Sequence, residues 1–179
     1  DADRAADLEA MLRDRAVRGI WFARGGFGTA RIIGRIPWAD VAGERKVLVG
    51  YSDLTALFAA AGRTRWVCLH GPVVSELGDP SRFHAGSLRA LLDGDAIEMG
   101  IGARNVLRGG RAAGPLAGGN LTVLAHLLGT PWFPDLSGRI LFLEDTGETV
   151  YRVDRVLTQL RASGAFSGVA GVLLGPLDG

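Results

Sequence analysis

Residues 46–57 read Lys-Val-Leu-Val-Gly-Tyr-Ser-Asp-Leu-Thr-Ala-Leu, and this stretch decides the fold expected for the chain. Aliphatic residues run into Gly50, and Ser52 follows two positions later, directly before a helix-forming run. This order is typical of a buried strand, a sharp turn and a helix. A serine at such a turn is held clear of its surroundings, beside backbone N–H groups that the first helical turn leaves unpaired.

Two interpretations of Ser52 are open at this point. The turn resembles the nucleophile elbow of hydrolases, although Gly-x-Ser-Asp lacks the second glycine of Gly-x-Ser-x-Gly. Serine and aspartate are also ordinary N-caps, so Ser52 and Asp53 could serve only to begin the helix. The local pattern alone does not choose between a nucleophile and a cap.

Short apolar runs alternate with helical patterns on both sides of this stretch. A strand, a helix and a second strand in this order form a βαβ unit, and such crossovers imply a parallel sheet. The elements predicted for the first half are a helix over 3–16, a strand at 20–23, a glycine loop at 24–28, a helix over 29–36, a strand at 47–49, a helix over 54–61 and a strand at 66–69.

Residues 75–112 differ in character, with Pro80, several glycines and one predicted helix at 87–92, and they suggest a connector. We therefore expect an N-terminal domain over 1–74 and a C-terminal domain over 113–179. The predicted class is α/β: a flavodoxin-like parallel-sheet domain followed by a smaller α/β domain, both incomplete. The elements predicted for the second half are a helix over 120–128, a buried strand over 139–145, a helix over 151–161 and a final buried strand at 169–174.

Composition narrows the classes of function. Lys and Arg number 20 against 19 Asp and Glu, without a basic stripe, so no nucleic-acid partner is expected. The single Cys68 excludes an intrachain disulfide, and its apolar neighbours predict a buried, inert thiol. No apolar run could span a bilayer and no signal peptide opens the sequence, so we expect a cytoplasmic protein without membrane contact, although the first residue is Asp rather than Met.

Ligand sites in parallel sheets lie at the carboxyl ends of strands. Three segments occupy that position: the glycine loop at 25–28, Ser52 with Asp53, and Glu144 with Asp145. The loop could cradle a phosphate, approach a substrate carbonyl as half of an oxyanion hole, or simply form a tight turn. It lacks the Lys-Ser/Thr of a P-loop and the spacing of a dinucleotide-binding fingerprint.

Glu144 follows four large apolar residues of a predicted buried strand. A carboxylate there must be paired, hydrogen-bonded or exposed to solvent. Orienting a catalytic histidine would meet this need, and so would an ion pair with Arg152 or Arg155. None of the three histidines is a compelling base: we assign His70 to a structural turn, His84 to a solvated connector and His126 to a satisfied core or interface position.

Several short motifs in these segments carry a joint signal, although each is modest alone. They are Arg-Gly-Gly-Phe-Gly at 24–28, Gly-Tyr-Ser-Asp-Leu-Thr at 50–55, His-Gly-Pro at 70–72, Gly-Gly-Asn-Leu at 118–121, Leu-Gly-Thr-Pro at 128–131, Leu-Glu-Asp at 143–145, Asp-Arg at 154–155 and Gln-Leu at 159–160. In this order, over nearly the whole chain, they resemble the LD-carboxypeptidase and microcin C immunity family of serine peptidases.

The resemblance implies a Ser-His-Glu triad, in which Ser52 matches the nucleophile and Glu144 the acid that orients the histidine. The family's histidine lies in a Gly-His segment beyond the final predicted strand, and its opening strand precedes Asp1. We therefore expect the chain to be an incomplete piece of a longer enzyme and to be inactive alone.

The resemblance further implies an oxyanion hole built from the backbone N–H of Asp53 and one from Gly25 or Gly26. Arg24 and Asn120 stand in matching motifs and are expected to contact substrate. The implied reaction removes a terminal D-amino acid from an L-centre, as in a murein tetrapeptide, without a metal or other cofactor. A side branch cleaves peptidyl-nucleotide antibiotics instead. The implied partners are a small peptide and a second copy of the protein.

Two other classes of function stay open. A flavodoxin-like binding module would use Gly25–Gly28 and Ser52 to hold a phosphate, with Glu144 in a structural role. A catalytically dead homologue would survive as an interaction domain. A fluorophosphonate probe separates the enzyme from the module, and the encoded sequence after Gly179 decides the third interpretation.

Overall fold

The computed structural model describes residues 1–43 and 45–178, which form two parallel three-stranded sheets flanked by helices. This confirms the α/β class. The strands are β1 Gly19–Trp21, β2 Val47–Gly50, β3 Val67–His70, β4 Leu116–Asn120, β5 Ile140–Thr146 and β6 Gly171–Asp178. The α-helices are α1 Ala2–Arg13, α2 Thr29–Ile32, α3 Trp38–Val41, α4 Thr55–Ala61, α5 Ala85–Asp93, α6 Leu121–His126 and α7 Val150–Ala162. Within the described ranges, no helix combines the length and the apolar character needed to cross a membrane.

The first sheet is organised by β2, which lies between β1 and β3 in parallel register. Leu48 at its centre is completely buried, and Leu57 of α4 belongs to the same hydrophobic core. Burying a leucine side chain contributes about 1.5–3 kcal/mol, so both sides of the Ser52 turn are firmly held. The register pairs Gly50 with His70 and thereby sets the neighbours of the turn.

The second sheet is organised by β5 and contains a strand that the sequence did not predict. Glycines are rare in strands, so β4, with its Gly118 and Gly119, resembled a loop. A Cβ atom at Gly119 would lie 2.5 Å from Oγ1 of Thr55, which shows that the bare strand lets α4 approach. The backbone N–H of Asn120 donates to the same Oγ1 at 2.9 Å, so this contact joins the two halves of the chain.

Three predicted elements differ from the structure. The helix expected over 29–36 ends at Ile32 and continues as a 3-10 turn, Ile33–Arg35. The helix expected over 120–128 is α6, for which Asn120 is the N-cap. The burial predicted for 169–174 is not observed among the described residues, where β6 pairs with β5 alone and Val172 and Leu174 are 51% and 49% exposed. An apolar run alone does not distinguish an edge strand from a central one.

Candidate active site

Ser52 lies at the turn between β2 and α4, and its backbone is left-handed, with φ of +62°. Among residues 1–43 and 45–178, Ser52 is the only residue other than glycine that has a positive φ. That conformation costs about 1–3 kcal/mol and persists only where the surrounding structure enforces it. Ser52 is half-buried and makes no side-chain cap bond to the 3-10 turn Ser52–Leu54 or to α4. These features fit a nucleophile elbow better than an N-cap.

The glycine loop comes close to Ser52 through Gly25. A Cβ atom built on Gly25 would lie 3.1 Å from Cβ and 3.3 Å from Oγ of Ser52, closer than side chains normally allow. Glycine therefore permits the loop backbone to face the hydroxyl. Gly26 follows with φ of +118°, and in the described part of the chain the N–H groups of Gly26 and Asp53 have no backbone acceptor.

Asp53 fixes the loop to the turn with its side chain. Its Oδ2 accepts hydrogen bonds from the backbone N–H of Thr29, at 2.9 Å, and from Oγ1 of Thr29, at 2.7 Å. Thr29 is buried and begins α2 directly after the loop. The structure thus brings Gly25, Ser52 and Asp53 together, whereas Arg24 is exposed on the loop.

Glu144 lies in β5, opposite Asn120 of β4, and is 8% exposed. Its Oε1 is buried without a hydrogen-bond partner among the described residues. Burial raises the pKa of Glu144, the charge of Asp145 raises it further, and the Asn120 amide opposes the shift. Neither arginine considered from the sequence pairs with it. Arg152 bonds to Glu148 at 3.2 Å, and the guanidinium of Arg155 lies 5.4 Å from the Tyr151 ring centroid.

His70 is the side chain that faces Glu144, a role the sequence did not suggest. Its Nε2 lies 3.8 Å from Oε1 of Glu144, beyond hydrogen-bond distance. The ring contacts Tyr51 at 5.9 Å and Phe142 at 4.9 Å between centroids, both edge-on. The side chain of His70 is 26% exposed, although the residue counted with its backbone is exposed. Burial of the imidazole lowers the pKa of His70 to about 4. The imidazole is therefore neutral near pH 7.

The other histidines lie away from this contact. His84 is exposed, as expected, and caps α5 by accepting the N–H of Ser87 at 3.0 Å. His126 is exposed at the last residue of α6, so the core placement expected from its apolar neighbours is wrong, and the alternative interface placement stays a prediction.

Asn120 carries out a structural task in the second half. Its Oδ1 accepts the N–H of Val123 at 3.0 Å and so caps α6, and its Nδ2 donates to Asp145 at 2.8 Å. Both ends of the side-chain amide are engaged, and the residue is 8% exposed. Contact with substrate by Asn120 remains a prediction.

Two cavities flank His70. One, of about 480 Å³, lies between the halves and is lined by Trp66 and Phe142, and the other, of about 420 Å³, is lined by Tyr51 and Arg82. Neither Ser52 nor Glu144 lines either cavity. Tyr51, the residue before Ser52, contacts the ring of His70, and His70 in turn lies 3.8 Å from Glu144. Across the described ranges, no three His, Cys, Asp or Glu side chains are grouped so that they could hold a metal ion.

Comparison with known proteins gives consistent results for both halves. The sequence model of one protein family, the LD-carboxypeptidase N-terminal domain, matches residues 1–71. The sequence model of the LD-carboxypeptidase C-terminal domain matches residues 113–179. A Bacillus subtilis protein named "Probable murein peptide carboxypeptidase" is 37% identical over 97% of this chain and 56% of its own length. The chain therefore spans a little over half the length of such relatives.

Two solved structures have the same fold. The muramoyltetrapeptide carboxypeptidase of Oxalobacter formigenes has a TM-score of 0.80 and 32% identity, covering 100% of this chain and 63% of its own. The MccF-like protein of Bacillus anthracis has a TM-score of 0.82 and 26% identity, covering 99% of this chain and 63% of its own. With family models matching both halves in order and these likenesses across the chain, the protein belongs to the LD-carboxypeptidase family.

Proposed function

We propose that the full-length protein containing this chain is a serine carboxypeptidase that cleaves an L,D-peptide bond of the murein tetrapeptide type. Family membership and the names of its relatives support a carboxypeptidase. The observation that carries the serine mechanism is the left-handed backbone of Ser52, with the bare backbone of Gly25 against its hydroxyl. A strained residue with an unhindered approach is typical of a nucleophile held for reaction.

In the first step, Oγ of Ser52 attacks the substrate carbonyl and forms a tetrahedral intermediate. The N–H of Asp53 and one from Gly25 or Gly26 donate to the developing oxyanion, a contribution that is commonly the largest single one in acyl transfer. The bonds from Thr29 to Asp53 keep the loop and the turn in a fixed relation, so these donors need no rearrangement. Collapse of the intermediate releases the D-amino acid and leaves an acyl-enzyme on Ser52.

A histidine accepts the proton of Ser52 and passes it to the leaving amine. The resemblance assigns this histidine to a Gly-His segment outside residues 1–179, and Glu144 orients its imidazole. The buried Oε1 of Glu144 supports that task, because it has no hydrogen-bond partner among the described residues and a carboxylate oxygen can accept more than one donor, including a ring from another segment. Water then hydrolyses the acyl-enzyme through the same base.

The substitution Ser52→Ala tests the proposal in the full-length protein. We expect kcat for an L,D-tetrapeptide to fall by about 10⁴-fold or more while the thermal unfolding midpoint is maintained. Ser167→Ala, at an exposed serine, is the matched control and should leave kcat unchanged. A fluorophosphonate probe should label Ser52. Turnover by Ser52→Ala at the wild-type rate would end the assignment.

A second candidate substrate is a peptidyl-nucleotide, which the likeness to the MccF-like protein favours. Cleavage would use the same serine, so Ser52→Ala does not separate the two substrates. The ratio of kcat/KM for an L,D-tetrapeptide to kcat/KM for a peptidyl-nucleotide does, because it measures the difference in transition-state binding.

A phosphate-binding module is less well supported by the loop. The N–H of Thr29, which begins the helix after the loop, already donates to the Asp53 carboxylate at 2.9 Å. A phosphate at this position would have to displace that carboxylate and would experience its negative charge. Protection by phosphate without fluorophosphonate labelling of Ser52 would nevertheless favour the module.

A further inference from the structure

We propose that His70 is a positioning residue that holds the carboxylate of Glu144 toward the crevice between the two sheets. The inference rests on the proposed function, since it assigns Glu144 to the triad. His70 belongs to β3 of the first sheet and Glu144 to β5 of the second, so the contact crosses from the half that carries Ser52 to the half that carries the acid.

Contacts on two sides of the His70 ring hold it beside Glu144. The imidazole is held on two sides by edge-on contacts with Tyr51 and Phe142, so its freedom to rotate is small. Its Nε2 lies 3.8 Å from Oε1 of Glu144. A closure of less than about 1 Å would turn this approach into a hydrogen bond of ordinary length. His70 is thus placed to donate from Nε2 to an oxygen that otherwise lacks a donor among the described residues.

The charge state of His70 also suits a positioning role. The groups that face Glu144 are His70 from β3, Asn120 from β4 and Asp145 on its own strand. An imidazolium would neutralise the acid and compete with the catalytic histidine for it. Burial instead keeps His70 uncharged near pH 7, so it can orient the carboxylate without cancelling its charge. Glu144 then retains its negative charge for the histidine that carries the proton.

The experiment compares His70→Phe, which fills the same space without a donor, with His70→Gln, whose amide nitrogen reaches a position near that of Nε2. In the full-length protein we expect His70→Phe to lower kcat by roughly 10- to 100-fold, the effect of losing one hydrogen bond to a charged group, with KM changed less than about twofold. His70→Gln should restore most of that loss. His126→Gln, at an exposed histidine, is the matched control.

The pH profile separates positioning from packing. Without the donor, the ionised form of Glu144 is less stabilised, so the acid limb of kcat against pH should move to higher pH in His70→Phe and return in His70→Gln. Equal losses in both variants with an unmoved limb would show a packing role and overturn the proposal. A loss as complete as that of Ser52→Ala would make His70 the proton acceptor and overturn it too.

A measurement independent of turnover keeps this inference distinct from the proposed function. Nitrogen NMR of the imidazole should show the Nε2–H tautomer of His70 at pH 7. An Nδ1–H tautomer would overturn the positioning role and leave the assignment of Ser52 untouched. Conversely, turnover by Ser52→Ala would remove the proposed function whatever the tautomer of His70.

Discussion

Glu144 and Asp145 are adjacent in β5, and both are buried, at 8% and 4% exposure, yet their surroundings differ sharply. Asp145 accepts four hydrogen bonds, from the Asn120 amide, from the N–H and hydroxyl of Thr122, and from the N–H of Thr146. In Glu144, Oε1 is buried with no hydrogen-bond partner among the described residues, and Nε2 of His70 lies 3.8 Å from it.

The difference separates a carboxylate whose hydrogen bonds are satisfied by its own fold from the one to which we assign a role in the triad. Asp145 ties β5 to the start of α6, and the four donors balance the cost of its burial. Glu144 bears that cost without full compensation, which is why burial and the charge of Asp145 raise its pKa. An unsatisfied buried acid persists where function requires it. Substitutions at the two acids should therefore have opposite effects on activity and stability.

The largest effect is expected from Glu144→Gln. Loss of the acid that orients the histidine should lower kcat of the full-length protein by about 10³- to 10⁴-fold. The free energy of unfolding should stay the same or rise, because a neutral amide relieves the cost of a buried charge. Steady-state kinetics and chemical denaturation measure the two quantities.

Glu148→Gln is the control for Glu144→Gln, since Glu148 lies close by in sequence but is paired with Arg152 at the surface. It should change kcat less than about twofold, as a surface ion pair contributes little. If Glu144→Gln instead destabilised the protein and left kcat unchanged, Glu144 would have a structural role and its assignment to the triad would be contradicted.

Asp145→Asn should show the opposite behaviour. An asparagine at this position loses the charge and turns an NH₂ group toward donors, so we expect the free energy of unfolding to fall by about 3 kcal/mol. Urea denaturation with Asp7→Asn, an exposed aspartate of α1, as the control measures the difference. Kinetics on the fraction that remains folded should stay within a few-fold of the wild type. A stable but inactive variant would contradict the structural role.

The smallest effect concerns pH. The pKa of His70 is about 4 in the folded chain against an ordinary 6.5, so the unfolded state binds more protons between these values and stability falls on acidification through that window. The raised pKa of Glu144 acts in the opposite direction, adding stability as pH falls. His70→Gln should therefore reduce the loss of unfolding free energy between about pH 6.5 and 4 by about 2 kcal/mol. This is less than the roughly 3 kcal/mol that corresponds to the full pKa shift, since the side chain is 26% exposed.

Denaturation at several pH values measures this difference, with His126→Gln as the control at an exposed histidine. Comparing variants cancels the contributions of groups that both proteins share. An unchanged slope in His70→Gln would mean that the His70 imidazole is as accessible to protons in the folded chain as in the unfolded one.

Local patterns predicted most of the first sheet. The apolar run before Gly50 is strand β2, and the turn and α4 follow as expected, because period and propensity act over a few residues. The second half was predicted less completely. β4 was missed because its glycines are needed by the approach of α4 and not by any local preference.

The sequence by itself determined the α/β class, the turn that presents Ser52, and the acidic pair in β5, since each follows from the order of neighbouring residues. Only the tertiary structure decided which acid of that pair is satisfied and that His70 faces the other one. These facts depend on contacts between sheets formed by residues far apart in the chain. The spacing of residues in the sequence predicts local structure only, whereas these contacts form when the two sheets pack against each other.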